Sequence, residues 1–256
     1  MTAMRWDNLL SAEIFHYFLV FTRFAAVFGF MPFYASSYVP QRIRLLFALA
    51  VCFAVTPILS PLLPAMPANV GMLFYCIVIE ITIGLFLGLF PYFLLASIDL
   101  TGQMSAQAIS FANATAFDPT TQSQSTVVAT FLTLLALVLI VSTGIYQIMF
   151  SGIVASYKLF PPAQPVLFSD MSKTLVEALQ TAFVCGFKIS SPFILMMIVL
   201  YSAMGVTSRL MPQLNILFIM LPVQIYLGLG LLMTCLPLMM IWFLRYFEEQ
   251  IKSFAL

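Results

Sequence analysis

Three charged side chains lie inside long apolar stretches of the sequence and are the first candidates for chemistry. They are Arg23, Glu80 and Lys188. A charge that faced lipid would cost several kcal/mol. We therefore expect each one to point inward, toward another of the three, toward backbone carbonyls or toward a partner subunit. Two roles fit them: a relay for protons or solutes, or a buried charge pair that fixes the arrangement of helices. We favour the second.

Histidine and cysteine are too sparse for metal or nucleophilic chemistry. His16 is the one histidine of the chain, and near the start of an apolar stretch an interfacial role is commoner than a proton shuttle. Each of the four cysteines lies alone, without a CxxC pair or a nearby histidine: Cys52, Cys76, Cys185 and Cys235. We interpret them as small buried apolar groups. Because HExxH and GxSxG motifs are also absent, we predict no enzyme, no metal site and no cofactor.

A polar stretch over residues 99–126 separates two apolar runs. Irregular polar backbone at membrane depth persists only where it is buried in protein or lines a wet cavity. An ordinary surface loop and a re-entrant or plugging loop both fit this pattern. Small polar residues, two phenylalanines and an Asp-Pro step that disfavours helix suit a plug. The candidate plug residues are Ala106, Ser110, Phe111, Asn113, Phe117, Asp118 and Pro119.

Six apolar runs account for most of the chain. Each reaches or approaches the roughly 20 residues that cross a hydrocarbon core: 14–31, 43–63, 72–98, 127–155, 174–201 and 214–244. They do not alternate in polarity, which favours helices over barrel strands. Four glycines in these runs are expected close-packing points between helices rather than phosphate cradles: Gly84, Gly88, Gly228 and Gly230. We predict an all-α membrane protein with a single domain over residues 1–256.

The lengths of the runs indicate bent or broken helices. As straight helix, the last run would extend roughly 46 Å, and Pro222 and Pro237 lie inside it. If all six runs cross, five Lys and Arg residues fall on one side and three on the other, too even a division to set a topology. The N-terminal run lacks a cleavage site after it, and we expect it to be retained. A bundle that stands partly outside the bilayer fits these features.

Composition excludes a soluble globule. Apolar residues form 62% of the chain and charged residues 7%, against about 45–50% and about 25% in soluble domains. The mean hydropathy is +1.08. The chain therefore needs membrane lipid or apolar protein as its surroundings. A net charge of +1 argues against a nucleic-acid partner, which requires clustered Lys and Arg.

Four short blocks follow one another along residues 14–240. The first block is Arg23 with Met31-Pro32 and the Val-Pro-Gln-Arg-Ile-Arg stretch at 39–44, and the second is Glu80 with Gly84 and Gly88. The third is Gly102 with Phe117-Asp118-Pro119. The fourth is Ser-Arg-Leu-Met-Pro-Gln-Leu-Asn at 208–215, followed by Pro222. In order and spacing these blocks resemble the FliR family of flagellar export-apparatus membrane proteins. The family often has a Gly-His step where this chain has Gly144-Ile145-Tyr146, and the polar run after Pro119 is individual. The signature residues are Pro40, Arg42, Arg44, Gly102, Arg209, Pro212, Gln213, Asn215 and Pro222.

The resemblance implies a specific assembly. A FliR-like protein is a single subunit beside several copies of FliP and FliQ, in a cone-like helical export gate at the flagellar basal body. The gate lies largely above the plane of the bacterial inner membrane, FlhB associates with it, and unfolded flagellar proteins pass through it. Neighbouring subunits then bury apolar runs that need not span the bilayer. The central loop of such proteins helps to plug the pore; here it corresponds to residues 106–122, the plug segment.

Two alternatives remain open from the sequence. The first is the homologous gate subunit of a virulence type III secretion system, although Pro222 and the 39–44 stretch favour the flagellar branch. The second is a secondary transporter for a small solute that uses Glu80 and Arg23. Such a transporter would show related halves, and we find no such symmetry.

Overall fold

The computed structural model describes residues 6–35, 39–67, 69–110, 126–211, 213 and 216–255. These residues form seven α-helices and one short 3-10 turn, and no strand occurs among them. The helices are α1 (Trp6–Phe30), α2 (Gln41–Leu59), α3 (Val70–Ala108), α4 (Val127–Ser142), α5 (Ile145–Leu159), α6 (Phe168–Leu210) and α7 (Ile216–Ala255), with the 3-10 turn at Ser60–Leu62 after α2. The prediction of an all-α fold is confirmed.

Local sequence explains several helix ends. Pro40 precedes α2 with extended backbone, and its carbonyl accepts the backbone N–H groups of Ile43 and Arg44 at 3.0 and 3.2 Å. The side chain of Thr126 caps α4 by accepting the N–H of Ala129 at 3.3 Å. Gly144 has a φ of +77°, a left-handed conformation that glycine adopts without steric cost. It separates α4 from α5, so the predicted run 127–155 is a broken pair of helices.

The helices extend beyond the apolar runs of the sequence. Five helices are long and apolar enough to cross a membrane, and a sixth span results if α4 and α5 are counted together. The run 72–98 becomes α3, which reaches Ala108, and the run 174–201 becomes the 43 residues of α6. In α3 the polar residues past the run, Thr101 and Ser105, are fully buried, so this part of the helix continues within the protein. These helices show that the chain is a membrane protein.

The chain divides into two compact units, each assembled from separate stretches. The first unit contains Met1–Phe93, Gly144–Ala178 and Gln250–Leu256, and the second contains Leu94–Thr143 and Leu179–Glu249. In the first unit α1 buries Leu19, Val20, Phe24, Val27 and Phe28 completely. The second unit buries Leu94, Ile98, Phe193, Phe243 and Phe247. Since three helices contribute to both units, neither unit is a separate stretch of chain. The single domain over 1–256 stays a prediction.

Candidate functional site

The first unit contains a buried charge cluster around Arg23. Arg23 and Glu80 are both fully shielded from solvent. The Arg23 Nη2 donates to Glu80 Oε1 at 3.0 Å, and its Nε donates to Glu80 Oε2. Its Nη1 donates to Ser156 Oγ at 3.1 Å, and Nη2 also donates to the Phe160 carbonyl at 3.1 Å. The guanidinium carbon lies 3.8 Å from the centre of the Tyr157 ring. One arginine thus joins α1, α3, α5 and the residue after α5.

This arrangement suits a structural role better than a relay. The bidentate pair satisfies the fork geometry of arginine, and its remaining donors bind a hydroxyl and a backbone carbonyl. Buried charges are stable only when they are paired and hydrogen-bonded in this way. Removing one partner of a buried pair costs about 3–5 kcal/mol. Of the two roles open from the sequence, the fixed charge pair is the one that this geometry supports.

Glycines allow α3 to approach α1 closely beside this cluster. Gly84 lies one turn after Glu80, and a Cβ atom there would lie 2.6 Å from the Arg23 carbonyl oxygen. A Cβ at Gly88 would lie 2.7 Å from the Val27 carbonyl oxygen. The prediction of close packing is confirmed for Gly84, Gly88 and Gly228. It is wrong within this chain for Gly230, which has no neighbouring atom within 4 Å.

Lys188 does not belong to the cluster. It is exposed on α6 and lines an open cavity of about 190 Å³ with Pro192, Cys235 and Trp242. Lys188 is thus not buried by this chain, and its predicted contact with a partner subunit stays a prediction. The reason for its exposure is its helical position: α6 buries the stripe of Ala182, Gly186, Ile189, Ser190 and Phe193, and position 188 lies off that stripe.

His16 and the cysteines have local packing contacts. A ring nitrogen of His16, Nε2, lies 3.0 Å from the Pro64 carbonyl oxygen, which fits donation of its N–H. Cys52 is buried and donates to the Tyr17 carbonyl at 3.2 Å, and Cys76 is buried in an apolar cluster with Phe15. Cys185 and Cys235 are half-buried free thiols. Among the described residues no three His, Cys, Asp or Glu side chains come together as a metal site would require.

A seam of small residues holds the second unit together; it consists of Ser97, Thr101, Gly102, Ala129 and Gly186. The Thr101 hydroxyl lies 2.8 Å from the Ser97 carbonyl oxygen and 3.1 Å from the Gly186 carbonyl oxygen. A Cβ atom at Gly186 would lie 2.6 Å from the Ser97 carbonyl oxygen, and one at Gly102 would lie 2.8 Å from the Ala129 Cβ. Helix backbones meet here almost directly, as they do in tightly packed membrane helices.

The seam leads to the end of α3, where the plug segment begins. Ala106 is fully buried, and Ser110 is buried with a φ of +65°. Gln224, which is 3% exposed on α7, donates from Nε2 to the Ala108 carbonyl at 3.1 Å. The other candidate plug residues lie outside the described residues: Phe111, Asn113, Phe117, Asp118 and Pro119.

The N-terminal signature residues lie at the start of α2. Pro40 precedes the helix, Arg42 is exposed, and Arg44 is half-buried with its Nη1 at 3.5 Å from the Gly29 carbonyl oxygen. These contacts connect the entry of α2 to the end of α1.

The C-terminal signature residues surround the connection between α6 and α7. Arg209 lies exposed in the last turn of α6, Gln213 is exposed, and Pro222 is exposed within α7. Pro212 and Asn215 lie outside the described residues. The exposed faces of Arg209, Gln213 and Pro222 are not covered by the described part of this chain.

Sequence reasoning missed four important residues. Ser156 and Tyr157 of α5 and Phe160 immediately after it complete the charge cluster, and nothing in their local sequence distinguishes them from their neighbours. Gln224 could have been found from the sequence, because it is an isolated amide in an apolar run two residues after Pro222. A buried amide of this kind must find a hydrogen-bond partner.

Comparison with known proteins identifies related sequences over nearly the whole chain. The family model of bacterial export proteins, family 1, matches residues 14–250. The flagellar biosynthetic protein FliR of Caulobacter vibrioides is 31% identical over 231 residues, which cover 90% of this chain and 92% of that protein. The FliR proteins of Aquifex aeolicus and Escherichia coli are each 27% identical, covering 97% and 93% of this chain and 96% and 89% of their own lengths.

Proposed function

The chain belongs to the bacterial export proteins, family 1, and within it to the FliR proteins, and from this premise we propose that it is the FliR-type core subunit of the flagellar type III export gate. The description of the family and the names of the relatives support a part in flagellar protein export. In the proposal, it forms a channel with FliP and FliQ counterparts, associates with an FlhB counterpart and conducts unfolded flagellar proteins. The gate lies in the bacterial inner membrane at the basal body. The role is structural and conducting, without catalysis or a cofactor.

The observation that carries this proposal is an excess of exposed apolar helix. The 43 residues of α6 and the 40 residues of α7 correspond to about 64 Å and about 60 Å of helix. The hydrocarbon core is only about 30 Å thick. Yet only 22% of each span-like stretch is buried within the chain, and Val199, Val206, Leu210, Tyr226 and Met233 are among the exposed side chains. Lipid covers about half of such a helix, so apolar partner subunits must cover the rest.

A second part of the proposal concerns the plug segment, residues 106–122. We propose that it restricts the pore of the resting gate. Ala106 and Ser110 are held in the protein interior, so the segment starts from a fixed point. Its two phenylalanines supply apolar bulk, and its small polar residues tolerate a wet, protein-lined setting.

The flagellar role is favoured over the virulence alternative because the three relatives named above all carry a flagellar name. The solute-transporter alternative depended on Arg23 and Glu80 as a relay. Their bidentate contact, with further hydrogen bonds to Ser156 and Phe160, supports a fixed pair instead.

Co-expression tests the proposal directly. The chain is produced alone and with FliP and FliQ counterparts, and each sample is examined by size-exclusion chromatography in detergent. We expect the chain alone to aggregate or degrade and the co-expressed chain to elute in a discrete complex. A stable, monodisperse monomer that ignores those partners would contradict the proposal.

Deletion of Asn113, Ala114 and Thr115 tests the plug separately. The assembled gate should then leak small ions, because the segment becomes too short to fill the pore. Conductance, or sensitivity to small toxic solutes, is compared in cells with the full gate and with the shortened one. A deletion gate that assembles and stays as tight as the wild type would exclude this segment as a necessary seal.

A further inference from the structure

Gln224 makes a contact that apolar packing alone would not require. It is 3% exposed on the apolar helix α7, and its Nε2 donates to the Ala108 carbonyl oxygen at 3.1 Å. Ala108 is the last residue of α3. The final carbonyls of a helix have no partner within that helix. The Gln224 side chain therefore caps the end of α3 from a different helix.

Gly228 completes the same contact one turn further along α7. A Cβ atom at Gly228 would lie 2.8 Å from Ile109 Cγ2 and 2.9 Å from Ile109 Cβ. Ile109 is fully buried. Residues four apart lie on the same face of a helix, so Gln224 and Gly228 act together. We call this pair the α3 socket: the amide holds the backbone of Ala108, and the glycine leaves room for the side chain of Ile109.

Ser110, immediately after the socket, has a φ of +65°. This left-handed conformation is uncommon for a residue with a side chain and persists where the surrounding structure holds it. Ser110 is also buried, and its N–H donates to the Gln107 carbonyl at 3.0 Å. The chain thus leaves α3 in a direction that the neighbouring contacts enforce.

We infer that Gln224 and Gly228 are positioning residues that set where the chain leaves α3 and hence where the plug segment starts. The inference rests on the proposed function, because that proposal makes the segment a seal. A buried amide in an apolar helix is costly unless it is bonded. Its bond to one backbone carbonyl selects a single register between α7 and the end of α3, which apolar contacts alone do not do.

The socket has a matched pair of glycines for its test. In Gly228→Ala the new methyl group meets Ile109, whose branched Cβ cannot rotate away. The end of α3 must then shift. Gly230→Ala adds the same methyl group to the same helix where no atom of this chain lies within 4 Å. Any general effect of alanine on α7 is common to both variants.

Cysteine cross-linking tests the geometry of the socket in the assembled gate. In the pair Ile109→Cys and Gly228→Cys the two Cβ atoms would lie 2.9 Å apart, closer than the roughly 3.5–4.5 Å of a disulfide, so a small outward shift of the chain at residue 109 brings them into bonding range. Mild oxidation should remove both thiols from maleimide labelling, and a reductant should restore them. The pair Ile109→Cys and Gly230→Cys, and each single variant, serve as controls. Failure of the first pair to react beyond these controls would overturn the socket.

Ion leakage tests the positioning role. The gate is purified with Gly228→Ala, with Gly230→Ala or with the three-residue deletion of the plug segment, and the conductance of reconstituted vesicles is measured. We expect Gly228→Ala to leak toward the level of the deletion and Gly230→Ala to remain tight. Adding Ile109→Ala to Gly228→Ala should restore part of the seal, because it removes the contacts with the Ile109 Cγ atoms and leaves only the approach to Cβ at 2.9 Å. Gln224→Met replaces Gly228→Ala if that variant does not assemble, since it removes the amide with little change in volume.

The outcomes separate the inference from the proposed function. If the deletion leaks but assembled gates with Gly228→Ala and Gln224→Met stay tight, the positioning role is wrong and the proposed seal stands. If the deletion itself stays tight, the seal is wrong and so is the positioning role, whatever the cross-linking yield. Leakage in the deletion and Gly228→Ala, with a tight Gly230→Ala, supports both.

Discussion

The two units of this protein hold their helices together by different means. The first unit uses a buried ion pair, with Arg23 donating to Glu80, Ser156 and the Phe160 carbonyl. The second unit uses the small-residue seam, in which Thr101 hydrogen-bonds two backbone carbonyls and Gly186 permits backbone contact. In the first unit a single side chain makes most of the specific contacts between helices. In the second unit several residues each make a weaker contact.

This difference reflects what an apolar environment allows. Burial of apolar side chains gives little preference for one helix partner over another where the surroundings are also apolar. Specific arrangement must then come from polar groups or from close backbone approach. A charge cluster is strong but depends on every member, because an unpaired buried charge is very costly. A seam of small residues is weaker at each position but tolerates the loss of one contact. The two units should therefore respond differently to single substitutions.

Glu80→Gln should have the largest effect. It leaves the Arg23 charge buried without its counter-charge, which costs about 3–5 kcal/mol. We expect loss of most of the assembled complex, measured by size-exclusion chromatography and thermal unfolding after co-expression with partner subunits. Glu13→Gln is the matched control, because Glu13 is exposed on the same unit. The double variant Arg23→Met with Glu80→Met should recover part of the loss. If Glu80→Gln assembles as well as Glu13→Gln while export stops, the pair is a functional relay.

Gly186→Ala should have an intermediate effect. Its methyl group would lie 2.6 Å from the Ser97 carbonyl oxygen, and overpacking of this kind costs typically about 1–3 kcal/mol. We expect a lower thermal unfolding temperature of the complex with assembly retained. Gly205→Ala on the same helix meets no atom of this chain within 4 Å and should leave the unfolding temperature unchanged or slightly raised. Equal unfolding temperatures for the two variants would show that the seam is not tightly packed.

Thr101→Val should have the smallest effect. It removes the one hydroxyl proton that the Ser97 carbonyl of the same helix and the Gly186 carbonyl of α6 share, while it keeps the shape of the side chain. Interhelical hydrogen bonds between membrane helices average only about 0.6 kcal/mol. The control is Thr207→Val, which loses a bond to the Ala203 carbonyl on its own exposed helix face. A loss for Thr101→Val as large as that for Glu80→Gln would mean that the second unit also depends on a single residue.

Residue type predicted that charges inside apolar runs would be paired, but it did not predict which of them are buried or what they contact. Arg23, Glu80 and Lys188 gave the same signal, a charge in an apolar run. Two of them are fully buried and paired, but Lys188 is exposed. The sequence cannot separate them because the buried stripe of a helix depends on which neighbours it contacts. Ser156 joins Arg23 across 133 positions of the chain, a distance over which no local pattern operates.

The six predicted apolar runs located the helical regions but gave neither the number of helices, which is seven among the described residues, nor their ends. The run 127–155 is two helices, because Gly144 adopts a left-handed backbone conformation that composition does not reveal. Pro222 and Pro237, expected to bend the last run, lie within one assigned helix. A proline removes one backbone bond, and whether the helix continues past it depends on its surroundings.

The sequence by itself determined that this chain needs an apolar environment, that it is helical and that it resembles the FliR proteins. Composition, run length and the order of short motifs are local properties, and each is visible without a structure. Only the tertiary structure decided that Arg23 pairs with Glu80, that Gly186 faces Ser97 and that Gln224 caps Ala108. These contacts join residues 57, 89 and 116 positions apart (186 − 97 = 89 for the second pair). They depend on the register between packed helices, which apolar side chains alone leave unspecified because many registers bury similar areas.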